Sequence, residues 1–359
     1  MKIVHIVGNR PQFIKLALLH KALQKKNIDN VILHSGQHFD KNMSDIFFDQ
    51  LHIPLPDYSL GINHLTHNEM IGKMLMGIDG ILNIEKPSSV IVYGDTNTTL
   101  AGALSAKKRN IPVAHIEAGV RTTDETMPEE SNRYITDRIS TLNFCCTDTG
   151  VDNLKKEGYF SGAIHSGVYN SGDLMLDASM CFKNIALQQA KLPGEIDLQK
   201  PFVLTTIHRA ENTENITSLQ NIIVALNNIH QHTPVIFPMH PKTKALISQY
   251  RTPVVFTTLD ALGYLDLLAL TQNCKSVITD SGGLSREAFF FKKPTLVLMK
   301  YPFWPEIFIH GNCLQSKSIT EEIVMKYQLL LATDKSFKVD VFGNGKAAEN
   351  ISDIILSAF

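Results

Sequence analysis

Asp95, Glu117, Glu129 and Arg133 lie within the single stretch Val90–Ser140. Carboxylates at these positions are groups that can take up or return a proton, and a guanidinium beside them steadies negative charge. Asp95 and Glu117 each follow a short apolar run, Ser89–Tyr93 and Pro112–Ile116, with a glycine close by in Gly94-Asp95 and Glu117-Ala118-Gly119. Two such β-branched runs, separated by the helix-like span Asn97–Arg109, read as parallel strands of a βαβ unit. Ligands of open α/β sheets bind beyond the carboxyl ends of the strands, so both acids are expected in one crevice. Pro128 opens a further helix carrying Glu129, Glu130 and Arg133, with Glu129 and Arg133 four residues apart on one face. Any one of these acids alone reads more readily as a helix cap or loop residue. Gathered at neighbouring strand ends, they read as a proton-transfer site.

A second set of residues suits an anion. Asp280-Ser281-Gly282-Gly283 follows an apolar run and precedes a helix-like span, Leu284–Phe291. Glycines let a ligand approach the backbone, and the unpaired N–H groups of a helix start favour phosphate. Glu287, inside that helix, is placed to reach a ribose hydroxyl pair. His208 ends another apolar run and is followed by Arg209, Glu211 and Asn212; it is a candidate proton shuttle or diphosphate ligand. His240 before Pro241 is a similar, weaker case. Arg10 and Lys15, at the mouth of the same crevice, could balance a diphosphate or merely offset the acids. The chain has no GxxxxGK[ST] run, and its first βα turn reads Gly8-Asn9-Arg10-Pro11, which excludes a P-loop and disfavours a dinucleotide fingerprint.

The elements that must hold these groups alternate strand and helix, which implies parallel sheets covered by helices. Residues 2–7 and Val31–Ser35 read as strands, followed by a short helix through Phe47, Phe48 and Leu51 and a long helix Leu65–Ile84. After the central stretch come strand Leu142–Cys146, helix Asp148–Glu157, a short strand near Ile164 and helix Leu174–Gln189. A second series begins at Phe202–Ile207 and continues with Pro234–Met239, Val254–Thr257, Lys275–Thr279 and Thr295–Met299. At 359 residues the chain exceeds what one core usually supports. Two doubly wound, Rossmann-like α/β domains facing each other across a cleft are expected. The first, residues 1–172, carries the carboxylates, and the second, 173–345, carries the anion site. A last helix within 346–359 could pack back on the first domain.

Composition removes other classes. Net charge is −1, with 44% hydrophobic and 19% charged residues, so nucleic acid and anionic membrane surfaces are not expected partners. No apolar run reaches the length of a membrane span, and the opening MKIVHIV is too short for a signal-sequence core. Five cysteines, two of them adjacent, lack metal-ligand spacing and read as reduced and buried in a cytoplasmic protein. No metal or other cofactor is expected.

Nine segments in order resemble a known family: GNRPQFIK (8–15), SGQHFD (35–40), GDTNTTLAGAL (94–104), HIEAGVRT (115–122), MPEESNR (127–133), HRAEN (208–212), HPKT (240–243), DSGGLSREA (280–288) and FGNGKAA (342–348). The sequence resembles the non-hydrolysing UDP-N-acetylglucosamine 2-epimerases along nearly its full length. The resemblance implies the GT-B type of two-domain fold, a UDP-sugar substrate and a homodimer. It also implies inversion at C2 through loss and return of UDP, by way of a 2-acetamidoglucal. It matches Asp95, Glu117, Glu129 and His208 to catalytic positions, Arg133 to a neighbouring one, and Arg10, Ser281, Gly282, Gly283 and Glu287 to UDP-binding positions. The chain departs from the pattern at Lys300, where an arginine is usual, at Phe303 and Trp304, and at Leu267, where an aromatic residue often packs near uracil. GNRPQFIK and MPEESNR resemble the branch that acts on UDP-2,3-diacetamido-2,3-dideoxyglucuronate. Three alternatives share the scaffold: a hydrolysing 2-epimerase, a GT-B glycosyltransferase and a non-catalytic UDP-sugar sensor.

Overall fold

The computed structural model describes every residue except 38–50, 52, 123, 125, 163, 165, 195, 334 and 335. His38 and the short helix expected through Phe47 and Phe48 lie outside the described residues. The chain divides into two compact units, Met1–Met180 with Asp340–Phe359, and Cys181–Val339. It leaves the first unit within helix Leu174–Gln189 and returns ahead of helix Ala347–Ala358.

Unit 1 is built on a parallel sheet of seven described strands: β1 (Lys2–Val7), β2 (Asp29–His34), β3 (Tyr58–Ser59), β4 (Ser89–Tyr93), β5 (Val113–Ile116), β6 (Leu142–Cys145) and β7 (Gly167–Asn170). Their spatial order is β3-β2-β1-β4-β5-β6-β7. The order reverses between β1 and β4, which pair with Ile3 opposite Ser89 and Ile6 opposite Val92. Such a switch point opens a crevice at the carboxyl ends. On one face Val4, Ile6, Val90 and Val92 pack with Met74 and Ile78 of helix His67–Glu85 and with Ala101 and Ala103 of helix Asn97–Lys108. Gly102 brings that second helix close: a Cβ there would stand 3.0 Å from both Ile6 and Val92. On the other face His5 meets His20 of helix Arg10–Gln24, and Lys26 just beyond that helix pairs with Asp353 of the last one.

Unit 2 repeats the plan with six described strands: β8 (Val203–Thr206), β9 (Val235–Pro238), β10 (Thr257–Leu259), β11 (Ser276–Thr279), β12 (Thr295–Val297) and β13 (Cys313–Gln315). The order β10-β9-β8-β11-β12-β13 places its switch point between β8 and β11. Its main core joins Val235, Phe237, Ile278 and Leu296 of the sheet to Leu219, Ile222 and Leu226 of helix Ile216–His230.

The α/β alternation read from the sequence is the observed one, with local corrections. The strand expected near Ile164 is Gly167–Asn170, because pairing with β6 sets Gly167 opposite Leu142. The strand expected over Val254–Thr257 is Thr257–Leu259, paired with the carboxyl-terminal part of β9. Edge strands β3 and β13, two and three residues long, were not expected. All five cysteines are free, and all but Cys181 are buried.

Candidate functional site

In unit 1 the first two acids stand at neighbouring strand ends. Asp95 follows β4 and Glu117 follows β5, and the two strands pair directly. Gly94 and Glu117 both take left-handed backbone, φ +64° and +71°. Only glycine does so without strain, so Glu117 holds a costly conformation of the kind that collects at functional sites. Arg133 is fully buried and donates to Asp95 Oδ2 at 2.5 Å from Nη2 and 3.0 Å from Nε. Its Nη1 pairs with the buried Glu130. Burial opposes the guanidinium charge, but Asp95 and Glu130 outweigh it and raise its pKa. Neighbouring Asn132 donates to the Asp95 carbonyl at 2.9 Å. Pro128 and two acids open the helix that carries Glu130, Asn132 and Arg133, a favourable order for its positive end.

Glu117 accepts from the Lys15 ammonium at 2.7 Å, and Lys15 is 2% exposed. Lys15 thus stands against an acid, one of the two places read for it in the sequence, and its charge is already matched. Arg10 opens the same helix, partly exposed. The helix is capped by Asn9, and buried Gln12 fixes its start to the end of β4. Gln12 Oε1 accepts from Gly8 N at 2.7 Å, while Nε2 donates to Tyr93 O at 2.7 Å and to the Thr96 and Thr99 hydroxyls. Glu129 is partly exposed, and its carboxylate has no hydrogen bond or ion pair among the described residues. Arg133 therefore pairs with Glu130 three residues away, not with Glu129.

Beneath the acids lies a buried charged network. His115 on β5 meets Asp137 Oδ1 through Nδ1 and the Gly94 carbonyl through Nε2, both at 2.7 Å. Arg121 reaches Asp137 Oδ2 at 2.7 Å, and the Gly119 N–H also donates to that oxygen. Burial works against the Asp137 charge, yet His115 and Arg121 prevail and hold its pKa below the usual carboxylate range. Asp137 thereby anchors the turns after both β4 and β5. One further grouping had no signal in linear spacing. Glu117, Cys146 and Asp173 each bring a side-chain donor atom within 4.8 Å of the others. Among the described residues, the Lys15 ammonium pairs with Glu117 at this place.

In unit 2, Asp280 at the end of β11 is the hub. It is fully buried and accepts from the backbone N–H groups of His208 and Arg209 at 3.1 and 2.9 Å, and from Asn212 Nδ2 at 3.0 Å. Its carbonyl accepts from Arg209 Nε at 2.8 Å. His208 is held by its backbone and by an Nδ1 contact to Asp280 Oδ1 at 3.3 Å, leaving its ring 48% exposed. Desolvation, with help from Arg209 and His240, holds His208 below the usual histidine range against the pull of Asp280. Ser281 caps helix Gly282–Phe290 through Leu284 N. The two glycines differ. A Cβ on Gly282 would meet the Phe303 ring at 2.6 Å, whereas one on Gly283 would find its nearest neighbour at 3.8 Å. Gly282 thus serves packing, and Gly283 is the open approach to the helix start. Glu287 is buried in that helix. His240 caps helix Pro241–Gln249 by accepting from Lys242 N at Nδ1, which leaves its proton on exposed Nε2.

The structure thus gathers Asp95, Glu117, Arg133 and Lys15 in unit 1, and His208, Ser281, Gly282 and Gly283 around Asp280 in unit 2. Glu130, Asn132, Asp137, Gln12 and Asp280 were missed as parts of the machinery. Asp280, directly before Ser281, and Glu130, three residues before Arg133, had local signals.

Comparison with known proteins adds an independent line. The family model described as UDP-N-acetylglucosamine 2-epimerase matches residues 21–356. The UDP-2,3-diacetamido-2,3-dideoxy-D-glucuronate 2-epimerase of Pseudomonas aeruginosa is 42% identical over 357 residues, covering 99% of each chain. The UDP-N-acetylglucosamine 2-epimerase of Methanocaldococcus jannaschii is 37% identical over 366 residues, covering 99% of each chain. A crystal structure of the UDP-GlcNAc 2-epimerase from that organism, in complex with UDP-GlcNAc and UDP, superposes with a TM-score of 0.90 at 36% identity, covering 99% of this chain and all of the other.

Proposed function

Because this chain belongs to the UDP-N-acetylglucosamine 2-epimerase family, we propose that it interconverts UDP-GlcNAc and UDP-ManNAc without hydrolysing them. The observation that carries the reading is the pair of acids on adjoining strand ends, Asp95 against Arg133 and Glu117 against Lys15. The C2 proton of a 2-acetamido sugar is barely acidic, so its removal must be coupled to departure of a good leaving group. One carboxylate takes the C2 proton while the C1–O bond breaks and its electrons leave with UDP. The product is a 2-acetamidoglucal. UDP then returns to C1, and a carboxylic acid delivers a proton to the other face of C2. Glu129 completes the carboxylate set, and Lys15 and Arg133 position the other two acids.

Unit 2 binds the nucleotide in this reading. The N–H groups at Gly282 and Gly283, with Ser281 and His240 Nε2–H, receive the diphosphate, and Glu287 receives the ribose; Arg10 is proposed as a further UDP-binding residue. His208, neutral before substrate binds, gains proton affinity beside the diphosphate and offsets the charge on departing UDP. A homodimer in the cytoplasm is the proposed working form, to be checked by light scattering and cell fractionation.

The test is turnover in D2O followed by NMR at C2. Epimerised product should carry deuterium at C2, as should recovered substrate. Product without C2 label overturns the reading. Accumulation of free UDP and a reducing sugar would point instead to the hydrolysing variant. A second substrate reading rests on the 42% identical relative, named for the 2,3-diacetamido uronate. Rates on the two UDP-sugars at equal concentration separate them, and an inert UDP-GlcNAc would transfer the same mechanism to the uronate.

A further inference from the structure

We propose that His115 is a positioning residue for the candidate acids: a buried imidazolium that donates from both ring nitrogens, to Asp137 and to the Gly94 carbonyl, and so sets the backbone that carries Asp95. The inference rests on the epimerase reading only for its effect on turnover; the state of the ring stands on hydrogen bonding. His115 and Asp137 are both fully buried. His115 Nε2 lies 2.7 Å from the Gly94 carbonyl oxygen, which can only accept, so Nε2 carries a proton. Nδ1 lies 2.7 Å from Asp137 Oδ1. The second Asp137 oxygen accepts from Arg121 Nη2 at 2.7 Å and from Gly119 N at 3.2 Å, and both donors favour the carboxylate form. A carboxylate has no proton to give, so Nδ1 carries one as well. A ring with a single proton would leave a buried lone pair facing an acceptor at one nitrogen or the other, a costly arrangement.

The groups around this pair come from separate elements. Arg121, in the turn after β5, also bridges to Glu157 at the end of helix Asp148–Lys156, through Nε at 2.8 Å and Nη2 at 2.9 Å. Cys145 of β6 and Tyr159 stand near Asp137, and burial, reinforced by that carboxylate, pushes both above their usual ranges, so they add no charge. Arg138, exposed on the helix of Asp137, acts on Tyr159. Across the sheet His115 neighbours Asn143, whose Nδ2 donates to the Asp137 carbonyl at 3.1 Å.

The brace acts at Gly94. The Gly94 N–H donates to the Ile116 carbonyl at 2.9 Å and its carbonyl accepts from His115, so β5 holds both polar groups of one left-handed residue. Asp95 follows directly. Its carbonyl and carboxylate are taken by Asn132 and Arg133, on the same helix as Asp137. Asp137 also takes Gly119 N, two residues past Glu117. One buried ion pair therefore ties the turns of both acids to each other. With both nitrogens occupied, the ring has no proton to lend a substrate. Its part is placement, which proton transfer from carbon demands to within a fraction of an ångström.

The test uses the full chain. Nitrogen-15 NMR of the histidine rings, with His115 assigned through His115→Gln, reads the state of each nitrogen across the pH range of turnover. Both His115 nitrogens should be protonated throughout. In Asp137→Asn the amide can donate to Nδ1, so the ring should become neutral with only Nε2 protonated. An unprotonated Nδ1 in the wild-type protein overturns the proposal, and so does a ring that stays doubly protonated in Asp137→Asn. In kinetics, His115→Gln can meet one acceptor but not both. It should lower kcat by about tenfold to a hundredfold per folded molecule, with KM nearly constant and both limbs of the pH profile kept. Loss of a limb would make His115 a proton donor to substrate, and lost stability with an unchanged kcat would make the brace merely structural; either result overturns the positioning role. If the wild-type protein shows no C2 exchange, the epimerase reading fails while the ring spectrum still decides the state of His115.

Discussion

Asp95, Glu117 and Glu129 offer the same functional group in three settings: against a buried guanidinium, against a buried ammonium, and partly exposed without a partner among the described residues. Asp95→Asn, Glu117→Gln and Glu129→Gln keep the shape and remove the titrating group. Each should lower kcat by about a hundredfold or more, with UDP affinity nearly unchanged. Steady-state rates and calorimetric UDP binding check both halves. The paired glycines give a sharper residue-scale contrast. Gly283→Ala points its methyl into open space, so stability should hold while UDP binds about tenfold more weakly. Gly282→Ala forces the Phe303 ring aside and should cost about 1–3 kcal/mol by denaturant unfolding.

At the scale of elements, strand ends and helix starts do the positioning. Gln12 ties the first turn of helix Arg10–Gln24 to the carboxyl end of β4, one residue before Gly94 and two before Asp95. Gln12→Ala leaves the buried Gly8 N–H without its side-chain acceptor and should cost about 1–3 kcal/mol. It should also lower kcat through the displaced Asp95 turn, and rates corrected for folded fraction separate the two effects. In unit 2 the same logic runs through Asp280, whose carboxylate gathers the His208 turn across a sequence separation of 72.

The fold of unit 1 as a whole carries a pH signature. His5 is fully buried, with Tyr93 Oη at 2.7 Å from Nδ1 and Asn30 Oδ1 at 2.9 Å from Nε2. Burial pushes its pKa down to about 3. The unfolded chain therefore binds a proton below about pH 6.5 that the native state refuses until about pH 3. Stability must fall as pH drops through that window, by up to about 1.4 kcal/mol per pH unit from this group. Below the window both states are protonated and the slope from His5 ends. His5→Gln should flatten the fall between pH 6.5 and 5 in urea midpoints. An equal slope in the variant would assign the effect to other groups.

What the sequence by itself determined is local. β-branched runs closed by glycine or a carboxylate marked most strands, caps and prolines marked the helix starts, and helix Leu174–Gln189 was legible residue for residue. The nine segments also carried the family. Edge strands Tyr58–Ser59 and Cys313–Gln315 were not legible, because two or three residues carry no periodicity. The sequence set Arg133 on one face with Glu129, four residues away, whereas the structure pairs it with Glu130, three away. Spacings of three and four residues both share a helix face, and side-chain placement chooses between them. Tertiary structure alone decided which strands are neighbours. Hydrogen bonding of β1 to β4 and of β8 to β11 creates the two switch points. Neither pairing has a local signature, since parallel partners are separated by whole crossovers. The same long-range pairing made Asp280 a hub, chose Glu117 as the partner of Lys15, and set Asp173 near that acid.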